Sequence, residues 1–273
     1  MSDLASDPST PGDQSPALTY MSYLALDEIL GAQRPRSDEH DEMLFIVIHQ
    51  VYELWFKQLL HELDHLQHKL EKVDTAHSAR TLRRALTILK VVVAQIDVLE
   101  TMTPRQFTSF RARLDAASGF QSGQFRELEA VLGRRDRRML APHPKTSVAH
   151  ERIAAAMSRR SLFDSFLHYL AGSGYDIPLE HLNRDLRTQW APAKELQEVL
   201  VQVYADDAGP STVADLLVDL DEGMQEWRYR HVKMVERTIG AKAGTGGSAG
   251  VAYLQQTLFQ PMFPDLWAVR SQL

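Results

Sequence analysis

From Leu217 to Thr238 the residues Leu217, Leu220, Met224, Trp227, His231, Met234 and Thr238 recur at alternating spacings of three and four. That is the period of one helix face, so the stretch reads as a long helix with an apolar stripe, ending near Gly240. The same spacing recurs along most of the chain, and alternating Val/Ile/Thr segments bounded by turns are almost missing. The expected fold class is therefore all-α. With 273 residues, 44% of them hydrophobic, the chain is long enough to bury one sizeable core. No internal repeat and no shift in composition divides it. The stripe also holds an anomaly: His231 occupies a position that its neighbours fill mostly with apolar side chains.

Helices are expected over residues 20–30, 38–72, 79–101, 127–132, 149–170 with a break, and 193–204. Thr103 and Pro104 form an N-cap and first-turn pair for a further helix carrying Phe107, Phe110 and Arg111. Ser37 or Asp38 is the expected cap of the helix over 38–72. Within it, residues 43–48 (MLFIVI) are apolar on every face, which predicts a segment surrounded by other helices, the spine of the core. Residues 1–17, beginning MSDLASDPSTPGDQSP, lack the basic and apolar regions of a signal peptide and read as a disordered tail before a single domain over 18–273. A cytoplasmic protein is expected.

Thirty Lys and Arg stand against thirty-six Asp and Glu, a formal charge of -6. Such a chain repels a phosphate backbone, so nucleic-acid binding is not expected. Residues 43–48 fall far short of a bilayer span, so no membrane segment is expected either. There is no cysteine, which excludes disulfides, thiolate zinc sites and Cys-ligated haem or iron–sulfur clusters. A cofactor metal here must accept nitrogen or oxygen ligands.

The most conspicuous motif reads as a decoy. His61, Glu62 and His65 satisfy HExxH, two imidazoles one helical turn apart with a carboxylate between. Asp64 places a charge inside the motif, no third ligand follows, and the surrounding Lys57, Glu62, Asp64, His65, Gln67, His68 and Lys69 read as a solvated face. The GTGGSAG segment at 244–250 lacks the Gly-Lys-Ser/Thr ending of a phosphate loop and reads as a flexible or ligand-gated loop. Arg134, Arg135, Arg137 and Arg138 surround Asp136 and read as a solvated turn. His49 shares a helical face with Phe45, Tyr52 and Phe56. A histidine on an apolar face is most often a hydrogen-bonded core residue, but His49 and His231 together, in a helical chain without cysteine, also suit a haem pocket.

Four segments, MLFIVIHQVYELWFKQLLHEL, SFRARLDAASGFQSGQFRELE, EWRYRHVKMVERTIG and GTGGSAGVAYLQQ, closely resemble the corresponding segments of the tryptophan 2,3-dioxygenase family. The resemblance runs in order from about Leu18 to Leu266. It implies a helical bundle enclosing haem b, one per chain. It also implies a homotetramer built as a dimer of dimers, and insertion of both atoms of O2 across the indole C2–C3 bond of L-tryptophan to give N-formylkynurenine.

The resemblance also assigns roles. The proximal haem ligand falls on His231, in EWRYRH. The distal histidine that accepts the indole N–H falls on His49, with Phe45 as an aromatic wall. Arg111, in SFRARL, matches the arginine that pairs with the substrate carboxylate, as a planar bidentate donor does. Thr245, with Gly246 beside it, matches the threonine at the amino-acid head group. Ser118 matches a haem-pocket serine and Leu114 a pocket-wall leucine. Tyr20, Tyr23 and Leu24 match residues that reach into a neighbouring subunit's pocket.

Phe107 departs from the pattern, standing where a tyrosine often contributes a hydroxyl near the carboxylate. The missing oxygen weakens one polar contact and leaves the Arg111 charge pair, so altered affinity is expected. Two alternatives follow: a related haem oxygenase that inserts one oxygen into a tryptophan derivative to form a 2-oxindole, and a haem sensor or carrier. The carrier reading needs His231 but not His49, Arg111 and Thr245 together.

Overall fold

The computed structural model describes residues 17–115, 117, 119–240, 242, 255 and 258–273, and among them every regular element is helical. The chain divides at Pro35 into two units. In the first, the expected helix over 20–30 is two short ones, α1 (Tyr20–Tyr23) and α2 (Leu26–Leu30). The break lies at Ala25, whose φ of 50° is left-handed, a conformation that disfavours a residue with a Cβ by roughly 1–2 kcal/mol. Thr19 and Ser22 exchange backbone and side-chain hydrogen bonds as a capping box that starts α1.

The second unit is organised on α3 (His40–Glu71). Its start differs from the expected Ser37 or Asp38 cap. The Glu42 carboxylate reaches back to the backbone N–H groups of Arg36 and Ser37, each at 2.8 Å, and satisfies donors that a short cap would otherwise take. Along α3, Tyr52, Phe56, Leu59, Leu63, Leu66 and Leu70 enter the core. The long helix α4 (Thr75–Leu99) begins earlier than its apolar pattern, because Asp74 accepts from the backbone N–H of His77. It packs against both α3 and the last long helix. Next come α5 (Pro104–Arg111) and α6 (Gly123–Leu132), the first capped by Thr103 as expected and the second by Ser122, before the expected start.

The expected break in 149–170 separates α7 (Val148–Ser158) from α8 (Leu162–Gly172), at a capping box between Ser161 and Asp164. A short α9 (Leu179–Leu182) precedes α10 (Lys194–Ala205). The striped helix α11 (Gly209–Ile239) starts before Leu217, with proline in its first turn, and ends at Gly240 with φ 62°. The chain closes with α12 (Pro264–Ala268), fixed by two fully buried carboxylates. Asp221 of α11 accepts from the backbone N–H groups of Met262 and Phe263 at 2.8 and 3.0 Å and from Trp267 Nε1 at 3.0 Å. Asp265 of α12 accepts from Trp190 Nε1, the Ala193 N–H and Gln197 Nε2, at 2.6 to 2.9 Å.

One expectation fails. Of residues 43–48 only Ile48 is buried, and Met43 and Val47 are 44% and 37% exposed. The segment is not surrounded by this chain's own helices. With Leu54 on α3 and Val91 and Val98 on α4, these residues leave apolar surface in water. No described helix is long and apolar enough to cross a membrane.

Candidate active site

His49 lies on α3 one turn after Phe45, whose carbonyl oxygen is 2.7 Å from its Nδ1. A carbonyl only accepts, so Nδ1 carries the ring proton and Nε2 keeps its lone pair. Burial pulls the His49 pKa below the usual histidine value, against the Phe45 carbonyl and the charge of Glu53. The ring is therefore neutral at pH 7 and an acceptor at Nε2.

One phenyl ring stands beside it and two more stand beside that ring. Phe45 is 4.1 Å from the imidazole between ring centroids, and Phe107 and Phe110 are 5.8 and 5.7 Å from Phe45. The Thr103 cap fixes where α5 starts and so which face it turns: Phe107, Phe110 and Arg111 follow i, i+3, i+4, and Leu114 lies in the turn beyond the helix. Phe110 is fully buried, Phe107 and Leu114 are half-buried against the core, and Arg111 ends the helix partly exposed.

The second imidazole comes from α11. His231 lies one turn after Trp227, ring centroids 5.0 Å apart and planes 6° from parallel. Phe125 of α6 packs on Trp227 at 4.6 Å, and Phe56 of α3 meets the indole edge-on at 6.2 Å. The His231 pKa falls to about 4, through burial first and then through the charges of His49 and Arg126. The two imidazoles therefore lie within electrostatic reach of each other. Both rings are half-buried, and burial is the first cause of both pKa shifts. Trp227 Nε1 is buried with no hydrogen-bond partner among the described residues.

Sequence reasoning missed the charged group behind this layer. Glu129 of α6 is met by Arg126 at 2.6 Å, by Arg228 of α11 at 3.0 Å and by Arg134 at 3.2 Å. A signal was available: Arg126 and Glu129 stand at i, i+3 in a segment otherwise rich in Leu, Val and Ala. The solvated turn expected at 134–138 is corrected with it. Arg135 is buried, donates to the carbonyls of Leu186 and Arg159 at 2.7 and 3.0 Å, and has its pKa drawn down to about 10 by burial.

The HExxH reading is likewise refined. His61 and His65 are exposed, but Glu62, expected on the same solvated face, is buried and holds Gln58 at 2.7 Å and Arg84 at 3.2 Å. Gln67 is buried too, donating to the Arg160 carbonyl. A buried carboxylate engaged by Gln58 and Arg84 is committed to the packing of α3 on α4 rather than to a water between the two exposed histidines. The described residues whose ligand atoms do cluster are Glu180, His181 and Glu195, within 4.8 Å of one another, an ion pair between α9 and α10 with His181 3.1 Å from Glu195.

Ser118, Thr245 and Gly246 lie outside the described residues. Tyr20, Tyr23 and Leu24 belong to the N-terminal unit, where Tyr20 and Tyr23 are 74% and 70% exposed and Leu24 is exposed too. The structure thus brings together Phe45 and His49 of α3 with Phe107 of α5, while Arg111 ends α5, Leu114 follows it, and His231 lies on α11.

Fold and site define an all-α protein of histidine-pocket type, with two neutral imidazoles, aromatic walls and no thiol. A family profile for tryptophan 2,3-dioxygenase matches residues 5–171 and 180–273. The tryptophan 2,3-dioxygenase of Anaeromyxobacter sp. (strain K) is 64% identical over 264 residues, 96% of this chain and 99% of the relative. That of Herpetosiphon aurantiacus is 56% identical over 261 residues, covering 95% and 100%, and that of Caulobacter vibrioides 42% identical over 259 residues, covering 94% and 98%. The chain belongs to the tryptophan 2,3-dioxygenase family.

Proposed function

We propose that this chain performs the reaction of its family, haem-dependent cleavage of the indole C2–C3 bond of L-tryptophan by O2 to give N-formylkynurenine. The observation that carries the reading is the pair of part-buried imidazoles, His49 against Phe45 on α3 and His231 stacked on Trp227 on α11, both held neutral by burial.

The residues present fit a haem. Iron binds neutral imidazole, and a pKa near 4 keeps His231 neutral at every physiological pH. The flat rings of Trp227 and Phe125 suit a planar partner, and buried Trp227 Nε1 offers a donor that the described protein atoms leave unpaired. Haem b, one per chain and held by His231, supplies the O2 chemistry when bound.

The chain's own residues position the substrate. His49 Nε2 is the acceptor for the indole N–H, because Nδ1 is committed to the Phe45 carbonyl; it also takes that proton if it leaves. Phe45, Phe107 and Phe110 give the indole an apolar wall. Arg111, at the end of α5, pairs with the substrate carboxylate in two parallel hydrogen bonds, and Thr245 with Gly246 holds the ammonium end. Ser118 contributes to the haem pocket, and Leu114 to its wall.

The working assembly is a homotetramer, a dimer of dimers in which Tyr20, Tyr23 and Leu24 complete a neighbour's pocket. Support comes from the exposure of those three residues and from the apolar surface at Met43, Val47 and Leu54. The proposed setting is the cytoplasm.

The test is mass spectrometry of the product formed from L-tryptophan under 18O2. Two labelled atoms in N-formylkynurenine support the reading. One labelled atom in a 2-oxindole, or bound haem without turnover, overturns it in favour of a monooxygenase or a haem carrier respectively.

A further inference from the structure

One buried carboxylate stands among three guanidiniums. Glu129 accepts from Arg126, Arg134 and Arg228 within 2.6 to 3.2 Å. A second anion acting on Arg228 is Asp221, itself occupied by the N–H groups of Met262, Phe263 and Trp267. These five groups carry three positive charges and two negative ones, an excess of one cation. They are withdrawn from solvent, with Arg126, Arg228, Glu129 and Asp221 at 8%, 4%, 2% and 0% exposure. Salt and water screen a charge so placed far less than one at the surface.

The excess lies beside His231. Arg228 precedes it by three residues on α11, within one helical turn. The Arg126 guanidinium lies 5.7 Å from the Phe125 ring, Phe125 packs on Trp227 at 4.6 Å, and Trp227 stacks on His231 at 5.0 Å.

We propose that this buried cluster, with Arg126 as the member facing His231 and Glu129 as the residue that positions it, sets the reduction potential of the iron held by His231 and favours the ferrous state. The inference rests on the functional reading above. Ferric haem carries one more positive charge than ferrous haem, so a fixed cation nearby disfavours the oxidised form and raises the potential. An anion acts in the opposite sense. Arg126 and Glu129 therefore have opposite signs in one observable, which a purely structural role would not produce.

The experiment is a spectroelectrochemical titration of the Soret band in full-length holoprotein, comparing wild type with Arg126→Gln, Arg126→Lys and Glu129→Gln. At the solution potential where wild type is half reduced, Arg126→Gln shifts the Fe(II)/Fe(III) ratio about three- to tenfold toward Fe(III). That corresponds to roughly 30–60 mV at 59 mV per decade for one electron. Arg126→Lys retains the charge and stays near wild type, while Glu129→Gln shifts the ratio toward Fe(II). An unchanged potential in Arg126→Gln, a shift of the same sign in Arg126→Gln and Glu129→Gln, or an Arg126→Lys that behaves like Arg126→Gln overturns the inference. Should Glu129→Gln fail to fold, the two Arg126 variants decide by themselves. A protein that takes up no haem, or takes it up equally well as His231→Ala, overturns the functional reading and this inference together.

Discussion

Trp227 and His231 stand one turn apart on α11 with their rings 5.0 Å apart and nearly parallel. The indole therefore limits how the imidazole can rotate, which the proposed role of His231 in holding iron in one orientation requires. His231→Ala is expected to yield largely haem-free protein with its helical circular dichroism intact. Trp227→Phe keeps a ring in place and retains haem, whereas Trp227→Ala opens a cavity and destabilises by roughly 3–5 kcal/mol. Haem content and thermal melting of the three variants check this, and full occupancy with an unchanged Soret band in His231→Ala would sink the assignment.

Burial holds the His231 pKa at about 4 against an ordinary value of 6.5. A depressed folded value means that the unfolded chain takes up protons first as pH falls. Stability is then complete above about pH 6.5 and is lost progressively down to pH 4. For His231 the shift corresponds to about 3 kcal/mol. His49, His143 and His168 are also lowered, chiefly by burial, and act in the same direction. Denaturant melts of haem-free protein at pH 7.5 and 4.5 measure the loss, and His231→Gln is expected to flatten it. Equal stability at both pH values would count against burial of these rings.

Arg111 is the residue proposed to read the substrate carboxylate, so its removal separates recognition from haem binding. Arg111→Ala is expected to lower kcat/KM about 30-fold to several thousand-fold, from a loss on the order of 2–5 kcal/mol, with haem content unchanged. Arg111→Lys recovers only part, since an ammonium cannot reproduce the planar fork. Tryptamine, which lacks the carboxylate, is a poor substrate for wild type, and Arg111→Ala discriminates against it far less. Equal turnover of tryptamine and L-tryptophan by wild type would show that the carboxylate is not read.

Asp221→Ala strands two buried donors, the backbone N–H groups of Met262 and Phe263, and the half-exposed indole N–H of Trp267. Removing one partner of such a group destabilises by roughly 3–5 kcal/mol. In a chain of this size that lowers Tm by about 6–15 °C. Scanning calorimetry reads the change. A melt like that of wild type would mean that α12 is held by its apolar contacts alone.

The HExxH segment supplies a negative control. His61→Ala and His65→Ala, both on the exposed side of α3, are expected to leave haem content and turnover unchanged. Elemental analysis is expected to find iron near one per chain and no stoichiometric zinc. Stoichiometric zinc that disappears in His61→Ala would reverse the ranking of the two metal readings.

Local chemistry was legible in the sequence where one element states its own rule. The Thr103–Pro104 pair marks the start of α5, and the lone histidine in the α11 stripe marks His231. The Glu129 cluster was only partly legible, because Arg126 and Arg134 lie within five residues of it in sequence but Arg228 comes from α11, 99 residues away. Arg134 and Arg135 stand next to Asp136 in sequence, yet Arg134 pairs with Glu129 and Arg135 with distant carbonyls. The bend at Ala25 was hidden for another reason: no glycine or proline stands there to announce a left-handed residue. Residues 43–48 misled, because a run that is apolar on every face names no buried side, and the structure buries only Ile48 of the six while Met43 and Val47 are exposed.

Met43, Val47 and Leu54 on α3, with Val91 and Val98 on α4, leave this chain's long helices with a greasy exterior. If association covers it, folding and assembly become one equilibrium, and protein concentration enters the free energy alongside temperature and denaturant. A melting point measured at nanomolar dilution then describes a different thermodynamic system from one measured at tens of micromolar. Charged replacements at these positions, harmless to the packing of a lone subunit, would lower stability most where the protein is most concentrated.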